Sequence, residues 1–180
     1  MAMNILFHIC CAPCALYPYY RLKEEGLEPF GFFYNPNIHP YLEYRKRLDT
    51  VRDFSGRVGL DVLIRDGYDL DEFLLRTAGK GANRCEQCYR LRMDAAVQAA
   101  REKGLTAFTT SLLYSKYQKH DLIRSVASEM AAERGIEFYY EDFRKGWKEG
   151  IVESKAMGLY RQQYCGCIYS ERDRYRTETD

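Results

Sequence analysis

Asn4–Cys14 reads NILFHICCAPC. Its first half, Asn4–Ile9, is a short apolar run suited to a strand buried on both faces. Its second half is a turn. Pro13 fits the first turn of a helix, and Ala15–Glu25 carries helix formers up to Gly26. A buried strand followed at once by a helix is the opening half of a βαβ unit. Cys10 and Cys11 therefore fall at the carboxyl end of the first strand, where open parallel sheets bind ligands.

Outward from this stretch the alternation continues. Pro29–Tyr34 (PFGFFY), Asp61–Ile64, Ala107–Ser111 and Glu137–Tyr140 read as further strands. Helices are predicted over Tyr41–Val58, from an Asp69 cap through Arg76, and over Cys88–Lys103, His120–Arg134 and Glu149–Met157. Asn35-Pro36-Asn37 is a loop signal. The expectation is one α/β domain over 1–180, a parallel sheet with helices on both faces and no repeat or long linker. Ser111 falls at the carboxyl end of the fourth strand, on the same rim as the first cysteines.

Composition narrows the function classes. At 180 residues the chain can bury a sizeable core, and 16 Tyr with 9 Phe exclude disorder. Mean hydropathy is −0.50, and no apolar run approaches the roughly 18 residues of a membrane span. The opening lacks a basic leader, so a cytoplasmic location is expected, with Met3 read as the natural first residue after Met1 and Ala2. Lys plus Arg number 27 against 26 Asp plus Glu, so bulk charge neither demands nor excludes a nucleic acid. No GxGxxG or GxxxxGK[ST] is present to cradle a nucleotide phosphate.

The cysteines are the informative excess. All seven fall in three tight groups: Cys10-Cys11 with Cys14, Cys85 with Cys88, and Cys165 with Cys167. An odd count without a secretory leader argues against a disulfide framework. Core-filling cysteines would sit inside apolar runs, whereas these sit beside Pro, Gly and charged residues. Cys11/Cys14 and Cys85/Cys88 have CxxC spacing, which lets two thiolates of one turn reach a single metal. Four thiolates suit zinc or an iron–sulfur cluster, and three with an open position suit a second metal that still binds substrate. Cys165 and Cys167 flank Gly166 and also suit a strained, easily reduced disulfide. A thioredoxin-like dithiol is a weaker reading, because its CxxC should stand alone. His8 reads as a satisfied core residue; His39, in NPNIHPY, is either a substrate contact or a loop residue.

Six segments carry a wider likeness: HICCAPC (His8–Cys14), FFYNPNIHPYLEYRKRL (Phe32–Leu48), RCEQCYRLRM (Arg84–Met93), TTSLLYSKYQKH (Thr109–His120), FRKGWKEG (Phe143–Gly150) and QQYCGCIYS (Gln162–Ser170). In this order they resemble the cobalamin-independent epoxyqueuosine reductases of the QueH type. The resemblance implies a Rossmann-like fold of the HUP superfamily. It implies removal of the epoxide oxygen of epoxyqueuosine at the tRNA wobble position, giving queuosine and water without cobalamin. It implies a [4Fe-4S] cluster on Cys10, Cys11, Cys85 and Cys88, and a redox-active Cys165/Cys167 pair. Cys14 would join that pair around a second iron, although spacing alone groups Cys11 with Cys14. An electron donor is required, and the segment from about 144 to 180 would complete the site.

Substrate contacts are sought beside these segments. His39, Ser111, Tyr114, Tyr117 and His120 are candidates for substrate binding or proton donation. Basic residues border the cysteine groups: Lys80, Arg84, Arg90, Arg92, Arg101 and Lys103 in one stretch, and Arg144, Lys145, Lys148, Lys155 and Arg161 in another. These are candidate phosphate contacts, led by Lys155 and Arg161, while Tyr89, Trp147, Tyr160 and Tyr164 are candidates to stack on a flipped base. Solvated helix faces and core aromatics would look the same. Two other functions fit the residues: a sulfur transferase of the same broad fold, disfavoured by the missing phosphate loop, and a zinc-stabilised RNA-binding module.

Overall fold

The computed structural model describes residues 3–176. Met1 and Ala2, read as preceding the natural start, and the last four residues of the expected 1–180 domain lie outside the described residues. In chain order the elements are β1 (Met3–His8), α1 (Ala12–Glu24), β2 (Leu27–Phe33), α2 (Tyr41–Val58), β3 (Val62–Ile64) and α3 (Leu70–Thr77). There follow α4 (Arg84–Glu102), β4 (Ala107–Thr110), α5 (His120–Arg134), β5 (Glu137–Phe138), α6 (Trp147–Ala156) and α7 (Ile168–Tyr175). The strands form one parallel sheet in the order β3-β2-β1-β4-β5. Chain progression reverses between β1 and β4, so a crevice opens beyond their carboxyl ends.

The central strand explains its own position. Ile5, Leu6, Phe7 and His8 are fully buried, as expected for a strand with helices on both faces. His8 tolerates this because both ring nitrogens have partners. Nε2–H donates to the Tyr34 carbonyl at 3.3 Å, which leaves Nδ1 to accept from the Thr110 hydroxyl at 2.9 Å. Burial, helped by nearby Arg92, lowers its pKa to about 3 and keeps it neutral. Phe32, Phe33 and Phe108 fill the sheet faces beside β1. Gly31 lets β3 pair: a Cβ there would meet Val62 Cγ2 at 2.7 Å and the Asp61 carbonyl at 3.2 Å.

Several boundaries differ from the sequence reading. α1 starts at Ala12, so Cys11 is its N-cap residue and Cys14 sits in its first turn. α4 starts at Arg84, a turn before Cys88, which puts Cys85 and Cys88 on one helix face. Asp69 occupies the N-cap position of α3, yet its side chain makes no capping hydrogen bond. β5 ends at Phe138, α6 begins at Trp147, and α7 follows the last cysteine group where no helix was predicted.

Candidate active site

The first cysteine group forms the floor of the crevice. The Sγ atoms of Cys10, Cys11 and Cys14 all lie within 4.8 Å of one another, and all three residues are buried. Ser111, at the end of β4, fixes Cys10 from two sides. The Cys10 N–H donates to Ser111 Oγ at 2.9 Å, and that hydroxyl donates to Cys10 Sγ at 3.2 Å. Gln162 Nε2 reaches Cys11 Sγ at 2.8 Å and Cys14 Sγ at 3.3 Å. Hydrogen bonds from Cys11 and Cys14 pull the Cys10 thiol well below its usual range, with Arg92 and Ser111 assisting. Burial pushes Cys11 up, and the bonds to Cys10 and Cys11 hold Cys14 up.

The last cysteine group is brought over the floor by α2. Arg47, buried, donates to Glu43 Oε1 at 2.7 Å, to the Cys165 carbonyl at 2.9 Å and to the Tyr164 carbonyl at 3.0 Å. Tyr160 donates its hydroxyl to the other Glu43 oxygen at 2.5 Å. The His39 N–H donates to the Gly166 carbonyl at 2.7 Å, and the Tyr164 hydroxyl donates to the His39 carbonyl. Gln118 Nε2 donates to Cys165 Sγ at 3.1 Å. Cys167 caps α7, its sulfur accepting from the Ser170 N–H at 3.3 Å. Burial raises the Cys165 thiol, as does the neighbouring charge of Cys167. Burial likewise pushes the Cys88 thiol up to about 12, with the Arg92 guanidinium opposing.

All seven cysteines are free. Cys10 and Cys14 of the first group and Cys165 of the last line one crevice, Cys85 and Cys88 do not line it, and Cys165 and Cys167 are unbridged. The crevice opens to a cleft of about 590 Å³ whose lining includes Cys10, Cys14, Cys165, Tyr114, Tyr117, Trp147, Gln118 and Arg161. Trp147 lies between Tyr114 (centroids 5.1 Å apart) and Tyr117 (5.6 Å), and Tyr117 is 86% exposed.

The other candidates fall elsewhere. The His39 ring is buried against Tyr68 and Phe73 with neither nitrogen partnered, so its backbone, not its imidazole, meets the CGC loop. His120 opens α5 and pairs Nε2 with the Tyr140 hydroxyl at 3.1 Å. Lys155 is exposed on α6 and does not line the cleft. Much of the basic character is already matched. Arg84 pairs with Asp173, Arg90 with Glu86 and Glu129, and Arg144 with Asp142. Arg92 is buried, and Lys145 faces an acidic groove with Glu24, Glu141, Glu149 and Glu153. Tyr89 is buried with its hydroxyl on Gln118, so it offers no face to a base.

Sequence reasoning missed Arg47, Glu43, Gln118 and Gln162. Two of these left a signal. Glu43 and Arg47 lie four apart on the α2 face that also buries Tyr44, Leu48 and Val51, and charged residues on an apolar stripe are rarely idle.

The CGC loop depends on its glycine. Gly166 has φ +130°, and a Cβ there would meet Arg47 Nη1 at 3.0 Å, Ile38 Cγ1 at 3.2 Å and Asn37 Nδ2 at 3.3 Å. Gly166→Ala is expected to destabilise the fold by about 1–3 kcal/mol. A fall in the thermal unfolding midpoint of the metal-free protein checks this; an unchanged midpoint contradicts the packing described.

The site thus sets buried thiols at the switch point of a Rossmann-like α/β sheet, with a second thiol pair held above them. Residues 5–173 match the family described as epoxyqueuosine reductase QueH, and the chain belongs to that family of oxidoreductases. The epoxyqueuosine reductase QueH of Dehalococcoides mccartyi is 35% identical, over 97% of this chain and 96% of that protein. That of Thermotoga maritima is 33% identical, over 95% and 92%. Among solved structures, the U34-tRNA thiolase NcsA from Methanococcus maripaludis, determined with its [4Fe-4S] cluster, resembles the fold with a TM-score of 0.55. It is 16% identical, with 93% of this chain and 61% of that chain covered. No helix among the described residues is long and apolar enough to cross a membrane.

Proposed function

We propose that this chain reduces epoxyqueuosine in tRNA to queuosine, with its seven cysteines holding a [4Fe-4S] cluster and a second iron. The observation that carries the reading is the buried Cys10-Cys11-Cys14 floor at the sheet's switch point, open to a cleft of about 590 Å³. The donor set fits soft iron: three thiols lie together, buried, with amide and hydroxyl donors already aimed at the sulfurs. Cys10, Cys11, Cys85 and Cys88 are assigned to the cluster, and Cys14, Cys165 and Cys167 to the second iron. When bound, such centres supply electrons one at a time.

The other residues bind and orient. The reaction consumes two electrons and two protons, breaks both C–O bonds of the epoxide and releases the oxygen as water. Trp147 and Tyr117, set edge to face at 73°, offer aromatic surfaces to the modified base, and Arg161 lines the same cleft for a phosphate. Burial raises the Tyr114 phenol above its usual value, so it keeps the proton that Oη donates to the Trp147 carbonyl at 3.1 Å. Gln118 and Gln162 hold the sulfurs by their amides. The electron donor is a separate partner.

The test is anaerobic single-turnover conversion of epoxyqueuosine in tRNA, followed by nucleoside mass spectrometry. Queuosine without cobalamin supports the proposal; a thiolated product, or a colourless zinc protein without turnover, overturns it. Stacking on an aromatic side chain is worth about 1–3 kcal/mol per base. Tyr117→Ala is therefore expected to weaken tRNA binding by about 5–150-fold without changing the absorption of the bound iron.

A further inference from the structure

Two buried guanidiniums flank the thiols, and they are not equivalent. Arg47 is neutralised by Glu43 at 2.7 Å. Arg92 is 1% exposed, has no carboxylate at ion-pair distance among the described residues, and donates one side-chain hydrogen bond, from Nη2 to Asn35 Oδ1 at 2.8 Å. Its Nε is buried without a partner. A guanidinium does not shed its proton inside a protein, and burying an unpaired charge is among the costliest arrangements a fold can make. Its counter-charge must come from its other neighbours.

Those neighbours are sulfur. Cys88 lies one turn earlier on the same face of α4. Asn35, which accepts from Arg92, also donates Nδ2–H to the Ile9 carbonyl at 2.9 Å, which ties the guanidinium to the backbone just before Cys10. His8, on the strand behind, is neutral and spoken for.

We propose that Arg92 is a positioning residue for charge: a fixed buried cation behind Cys10 and Cys88 that favours the more negative, reduced state of the bound cluster and so raises its reduction potential. This rests on the iron–sulfur reading above. Arg47 cannot serve in this way, because Glu43 cancels its charge.

The experiment is a dithionite titration of the anaerobically purified protein, followed by electron paramagnetic resonance. Arg92→Met is expected to shift the one-electron equilibrium towards the oxidised form by at least tenfold, a fall of about 59 mV. Asn35→Asp places a carboxylate on Arg92 and is expected to move the potential in the same direction with the guanidinium in place. Arg92→Lys keeps the charge and is expected to stay within threefold of the original. Unmoved potentials in Arg92→Met and Asn35→Asp overturn the proposal, as does an equal fall in Arg92→Met and Arg92→Lys. If Arg92→Met fails to hold iron, Asn35→Asp decides alone: a fall supports and an unmoved potential overturns. A colourless starting protein overturns the iron–sulfur reading itself, whereas a coloured one with unmoved variants overturns only the role of Arg92.

Discussion

Cys10→Ser is expected to abolish both the visible absorption of the anaerobically purified protein and its turnover. An alcohol is a poor substitute for a soft thiolate, and Cys10 is the sulfur best held for the role: Ser111 donates to it, its backbone is clamped by the same hydroxyl, and its thiol sits well below its usual range. Loss of an outer partner of a metal ligand alone costs about 10–100-fold in affinity or activity. Ser111→Ala is therefore expected to fall in that range, and Cys10→Ser beyond it. The assigned division makes the same measurement discriminating. Serine at Cys11, Cys85 or Cys88 is expected to bleach the protein, while Cys14→Ser keeps the cluster's absorption and loses only the second iron. If Cys14→Ser bleaches and Cys85→Ser does not, the cluster sits on the close Cys10-Cys11-Cys14 trio instead. Circular dichroism separates either outcome from unfolding.

The fold was legible where local sequence and tertiary packing agree. β1 is buried from Ile5 to His8, and α2 and α5 end at Gly59 and Gly135, both left-handed, so α2 runs over Tyr41–Val58 and α5 over His120–Arg134 as expected. α7 was not legible, because IYSERDRY has no buried residue and no apolar stripe. It is held from outside its own pattern, by the Cys167 cap and by Arg84, which pairs with Asp173 and lies over the Tyr169 ring. Strand order was not readable either, since pairing of β1 with β4 depends on contacts between residues about a hundred positions apart, such as Cys10 with Ser111.

The site divides along the same line. The cysteine groups are recognisable by residue type, because thiols bring their chemistry with them. The charges that govern them are not, because Arg47 and Arg92 look like other helix arginines until burial is known. Lys155 and Arg92 make the point in opposite directions. Both are read from basic stretches as phosphate contacts; Lys155 is exposed on α6, as such a contact must be, whereas Arg92 is buried and out of a phosphate's reach. Net charge along the chain carries no information about which side of a helix a cation occupies.

The CGC pair is where chemistry and binding should part most clearly. Cys165→Ser or Cys167→Ser is expected to leave tRNA affinity within a few-fold while lowering single-turnover deoxygenation by orders of magnitude. A dithiol can hold two electrons, or two ligands for a reactive iron, and neither role adds surface for RNA. The backbone of this loop is fixed without the sulfurs: Arg47 holds the Tyr164 and Cys165 carbonyls, and His39 holds Gly166. Serine should therefore preserve the loop's shape and remove only its chemistry. Phosphate affinity should reside instead in cleft cations such as Arg161 and weaken with salt. Arg161→Ala is expected to show the opposite bias, with poorer binding and a near-normal rate at saturating tRNA. Filter retention and single-turnover conversion, measured on each variant, give both quantities. Normal single-turnover rates in the cysteine variants would reduce the pair to a structural or recycling role, and the second iron would then lose two of its three proposed ligands.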